Sequence, residues 1–160
     1  MSLLTLVHVA LSLVGIAAGF VVLLGLLAGR LPAKWNSLFL VATIATSVTG
    51  FFFPFHKITP GIVVGVISLV VLAIALVALH SKRLEGVWRR IYVATAMVAL
   101  YLNVFVLIVQ LFEKVPALHA MAPTQSEPPF KMAQLGNLAL FVILTVMAAV
   151  RFGRPRLRVD

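Results

Sequence analysis

Uncharged, largely apolar stretches occupy about residues 3–29, 36–53, 61–79, 91–112 and 132–150. Each reaches roughly 18 residues or more, enough for one helix to cross the ~30 Å hydrocarbon layer of a bilayer. All eight prolines fall outside these runs, so no predicted helix has to be broken. Pro54 and Pro60 bracket a tight turn that should hold the second and third helices side by side. The connection 113–131 holds Pro116, Pro123, Pro128 and Pro129, and the pattern predicts an extended, stiffened loop there. The expectation is an all-α, single-domain integral membrane bundle of five transmembrane helices over residues 1–160, followed by a short tail, 151–160, beyond the last helix.

Two other readings of the pattern fail on composition. A cleaved signal peptide has a basic segment before a short apolar run, whereas the first run here is long and its first basic residue, Arg30, comes after it. The second run carries five hydroxyls (Ser37, Thr43, Thr46, Ser47, Thr49) and resembles a buried helix of a soluble domain. A chain that is 62% hydrophobic and 11% charged, however, has too little polar surface to cover a soluble core.

Charge fixes an orientation. Of the thirteen Lys and Arg residues, ten lie in alternate gaps: Arg30 and Lys34; Lys82, Arg83, Arg89 and Arg90; and Arg151, Arg154, Arg156 and Arg158 in the tail. Only Lys57, Lys114 and Lys131 lie in the remaining gaps. Cytoplasmic loops carry the Lys/Arg excess, which places the N-terminus outside, the C-terminus and basic tail in the cytoplasm, and loop 113–131 outside. The net charge of +9 sits at helix ends and in the tail, so it is accounted for by anionic headgroups of the inner leaflet without nucleic acid. The chain has no cysteine, which excludes disulfides and thiolate metal sites.

Each helix has one face unlike the rest. Residues three or four apart share a face, which groups Thr5, His8, Ser12, Gly15 and Gly19; Asn36, Thr43, Ser47 and Gly50; Gly61, Gly65, Ser68 and Ala75; Thr95, Ala99, Asn103 and Gln110; and Gln134, Asn137, Thr145 and Ala148. In lipid, small residues let backbones approach and polar side chains find partners across the contact, so these stripes should face the interior. Gly15/Gly19, Gly25/Gly29 and Gly61/Gly65 then read as packing seams. Depth along each helix puts most of this polarity toward the outer side, together with His8, His56 and His119. That asymmetry predicts an outward-opening polar pocket lined by His8, Asn103, Gln110, Gln134 and Asn137, lidded by the loop carrying His119 and Glu127. The alternative is that the four amides only bind one another as interhelical glue.

Catalytic chemistry is thin. A metal would have to draw its ligands from His8, His56, His119, Glu113 and Glu127, and no two of these stand at local ligand spacing. His8 with His56 is the one histidine pair near a common depth, leaving a single b-type haem, or a quinone, as a redox alternative. No span contains a carboxylate or a cation away from its ends, and His8 with Ser12 has no third group to orient it, so an enzyme is not expected.

Thr46-Ser-Val-Thr-Gly-Phe-Phe-Phe-Pro-Phe55, Ala122-Pro-Thr-Gln-Ser-Glu-Pro-Pro-Phe130 and the stretch from Trp88 to Gln110 resemble segments of small bacterial inner-membrane proteins. The resemblance implies a multi-pass location in that membrane and carries no activity or site residue with it. The expected function is therefore non-enzymatic: a small membrane protein that binds a ligand, an ion or a partner on its outer face. A structural or accessory subunit, docking a partner membrane protein or a second copy through its glycine seams, is the competing expectation.

Overall fold

The computed structural model describes residues 2–53 and 60–153. The Pro54–Pro60 turn, His56 and Lys57, and tail residues Arg154, Arg156 and Arg158 therefore lie outside the described residues, apart from Pro60 itself. The described chain is all helical: α1 (Leu3–Leu27), α2 (Ala33–Gly50), α3 (Pro60–Leu76), α4 (Trp88–Lys114), α5 (Pro116–Met121) and α6 (Pro128–Phe152), with a π-helical turn over Val77–Ser81 after α3. Four of these helices, α1, α3 with its π turn, α4 and α6, are long and apolar enough to cross a membrane. The 18-residue α2 is not among them, since Lys34, Asn36, Ser37 and its run of threonines lower its hydropathy.

The helix ends follow local chemistry. The Ser2 side chain caps α1 by accepting from the Thr5 amide at 3.2 Å. Gly29, at φ +72°, closes α1, with Arg30 N–H donating to Gly25 O at 2.9 Å and Gly29 N–H to Leu26 O at 3.0 Å. Gly29 is thus a helix terminator, and the Gly25 flank meets Pro32 of its own connection. The Gly25/Gly29 pair, expected as an interhelical seam, ends α1 two residues early, and Gly29 also faces Arg151 O of α6. The loop expected to be extended over 113–131 contains α5 and the first turn of α6, because Pro116, Pro128 and Pro129 occupy first-turn positions, where no amide is missed. At the other side of the molecule the π turn closes with Lys82 N–H donating to Val77 O at 2.9 Å, and left-handed Arg83, Leu84 and Gly86 reverse the chain into α4.

α1 packs on α2, α4 and α6, while α3 completes a four-helix ring between α2 and α4. One end of the bundle is filled. Ala18, Val22, Leu26, Phe39, Leu72, Ala75, Tyr92, Ala96, Met97 and Leu100 form a continuous buried core. Gly15 and Gly19 let α1 lie against Thr43 of α2 and against Phe39 and Leu100. The Tyr92 hydroxyl donates to Asn36 Oδ1, so the polar pair at this end is satisfied internally. Large apolar side chains such as Leu24, Val41, Val66, Leu135 and Ile143 face outward and exposed, as expected where lipid is the solvent.

Candidate functional site

The other end of the same ring is open. A cavity of about 510 Å³ lies among α1, α2, α3 and α4, with His8, Gly50, Phe53 and Gln110 among its lining at the end where α1 and α3 begin. It reaches the surface beside the exposed Gly61, Gln110 and Lys114. Its walls are largely apolar, formed by Leu13, Ile16, Val106 and Leu107, with Ser12, Thr46, Ser47 and Ser68 between them. Asn103 lies at the far limit, donating to Thr43 Oγ1 at 3.3 Å. The lining runs from Thr5 to Ile16 on α1 and from Asn103 to Lys114 on α4, so it spans about 16 Å at 1.5 Å per residue. Below Asn103 the glycine contacts and the buried core close the space.

The His8 imidazole is held from two sides. Its Nδ1 lies 2.9 Å from Thr49 Oγ1, and Phe53 meets its ring edge-on at 5.2 Å between centroids. Thr49 Oγ1 also lies 3.1 Å from Thr46 O, so its one hydrogen has two acceptors in reach and the His8 tautomer sets which of them takes it. Ser12, one turn below, turns its hydroxyl back to His8 O at 2.8 Å, the usual fate of a serine inside an apolar helix. Thr46 is different: it is 8% exposed, and its Oγ1 is buried with no partner among the described residues.

Of the five residues expected to form one pocket, His8, Asn103 and Gln110 line this cavity and Gln134 and Asn137 do not. Both lie on α6, on the far side of α4. Gln134 Nε2 donates to Phe105 O at 3.1 Å, and Gln125, which the sequence did not single out, donates to Val109 O at 3.1 Å. Phe105 and Val109 are one turn apart on the face of α4 opposite Asn103, so the two glutamines clamp that face to α6 and its leading loop, reinforced by Phe112 against Phe130 at 5.4 Å. Gln134 Oε1 and Asn137 Nδ2 stay buried without partners among the described residues.

The expected lid is also displaced. No residue of 115–131 lines the cavity: His119 is exposed on α5, and Glu127 accepts from the Thr124 hydroxyl at 2.8 Å and the Ser126 amide at 3.0 Å. Desolvation alone would raise the Glu127 carboxyl, but its side-chain and backbone hydrogen bonds together outweigh that and hold it below the ordinary carboxylate range. Glu113 accepts instead from Gln110 Nε2 at 3.4 Å at the rim. Among the described residues no three His, Asp or Glu side chains are grouped to hold a metal ion, and His56, needed for the metal and haem readings, lies outside them.

Most of the described basic residues gather at the filled end, with Lys114 and Lys131 at the other. Arg83, Arg89 and Arg90 surround a surface hollow with Gly153, Arg89 lies 4.5 Å over the Phe152 ring, and Arg151 donates to Leu27 O at 3.1 Å. No family model, no curated protein and no solved structure matches this chain.

Proposed function

We propose that this is a non-enzymatic, five-span protein of a bacterial inner membrane, N-terminus outside, which binds a small ligand in the cavity among α1 to α4. In this topology α2 is the fifth span, shielded by α1 and α3, so its polar stripe meets protein rather than lipid. The arginine-rich end then lies in the cytoplasm against anionic headgroups, and the cavity opens outward. The observation that carries the reading is the contrast between the two ends of one bundle: the Tyr92 end is filled, whereas the His8 end holds about 510 Å³ bordered by the polar side chains of His8, Asn103 and Gln110. Polar groups at membrane depth commonly serve a ligand.

The cysteine-free chain makes the test direct. A S12C variant should react in intact cells with a membrane-impermeant maleimide, and a K82C variant only after lysis. Labelling of Lys82→Cys alone from outside would overturn the orientation. The double variant N103A/Q110A should lose small molecules that co-purify with the wild-type protein, read by mass spectrometry, at unchanged folded yield. Loss of folding in their place would favour a purely structural role for these amides.

A further inference from the structure

We infer that the hollow at the filled end is a phosphomonoester site, gripped by Arg83, Arg89 and Arg90. It lies at the opposite end of the bundle from the cavity and does not depend on the cavity's having an occupant. The hollow measures about 610 Å³ and is lined by the loop 83–87, the first turn of α4 and Gly153. Three guanidinium groups and one carboxylate, Glu85, stand in its wall, which leaves it a net charge of +2. None of the three guanidinium groups makes a hydrogen bond or an ion pair with a described residue, Glu85 included. The backbone adds donors: the Gly86, Val87 and Arg89 amides meet no acceptor among the described residues, and no side chain caps α4. Arg89 is held by stacking 4.5 Å over the Phe152 ring, and Arg90 lies against Gly153, where a Cβ would stand 2.9 Å from Arg90 Cγ. Gly86, at φ +52°, has nothing within 4 Å of its Cβ position, so the chain there borders open space. A phosphodiester offers two free oxygens and a single charge. A phosphomonoester offers three oxygens and a charge of about −1.5 to −2 at neutral pH, which suits three forked donors in a wall of this charge. The hollow lies where α4 begins and α6 ends, and both helices are of membrane-crossing length, so in a bilayer its depth is that of the headgroups. The phosphate can therefore come from a lipid or from the aqueous phase.

The test uses the full chain in detergent micelles, with bound molecules counted by native mass spectrometry and three probes: phosphatidate, phosphatidylglycerol with the same acyl chains, and inorganic phosphate. Because the two lipids share their chains, any difference between them belongs to the head and owes nothing to the cavity. One phosphatidate per chain should be retained about tenfold more tightly than phosphatidylglycerol, the low end for one further hydrogen bond between charged groups. R83A/R90A should bring the two lipids level. R83K/R90K, which keeps both charges and removes the forked donors, should erase most of the preference. The wild-type comparison decides the question even if neither variant folds. Displacement of phosphatidate by inorganic phosphate would support the site and assign it to a water-borne phosphate, and retention of the lipid against it would support the site and assign it to a headgroup. Equal retention of the two lipids would overturn the inference and leave the arginines as a diffuse anchor. A preference that R83A/R90A leaves intact would also overturn it, as would failure of both phosphatidate and phosphate to bind. None of these results bears on the cavity reading.

Discussion

Single hydrogens decide the character of this bundle at the residue scale. At the filled end the Tyr92 hydroxyl and Asn36 amide satisfy each other in a fully enclosed setting. Phenylalanine at position 92 removes the donor and leaves Asn36 Oδ1 buried and bare. Y92F should cost about 1 to 2 kcal/mol in an equilibrium unfolding titration, while binding in the distant cavity is unchanged. At the open end the consequence of losing a hydroxyl is chemical rather than energetic. T49V takes away the hydroxyl that meets His8 Nδ1 at 2.9 Å; the Nδ1 resonance in ¹⁵N spectra should move, with stability changed by less than about 1 kcal/mol.

At the scale of elements, small residues set how closely the helices approach. A Cβ at Gly19 would stand 2.5 Å from a Leu100 methyl and 3.0 Å from the Phe39 ring, both in the packed core. G19V should therefore separate α1 from its neighbours and cost about 1 to 3 kcal/mol, measured by the same unfolding titration. The start of α6 makes a pH prediction. Because the Glu127 carboxyl has its pKa lowered by hydrogen bonds, the order it gives to Thr124 and Ser126 is complete above the unfolded carboxylate pKa and is lost as pH falls through the lower, folded one. Amide exchange at Ser126, corrected for intrinsic rates, should accelerate only across that acidic window, and in E127Q it should be fast throughout. Legibility in the sequence divides at the same scale. Apolar runs locate the long helices, since burial in lipid needs uninterrupted apolar length, and the three- to four-residue period identifies His8, Asn103 and Gln110 as facing inward. The period cannot say which neighbour a face meets. It therefore groups Gln134 and Asn137 with the cavity, although α4, with α3 on one flank and α6 on another, separates them from it. Proline content misleads in the connection 113–131, where the rings occupy first-turn positions and start helices. The sequence marks no role for Gln125, whose left-handed backbone at φ +57° carries its amide to α4.

Across the whole molecule, packing and charge run in opposite directions. Arginines and the filled core occupy one end; the cavity occupies the other. Under the proposed orientation, the cytoplasmic half acts as an anchor against anionic headgroups and the periplasmic half carries the recognition chemistry. The cavity stops where Gly15 and Gly19 bring α1 onto Thr43, Phe39 and Leu100. The shape is that of a cup and not of a tube: under the proposed function a guest has to depart by the route it came. Liposomes carrying the protein should accordingly keep a proton gradient as long as empty ones do, and a faster leak would mean the cup has no bottom.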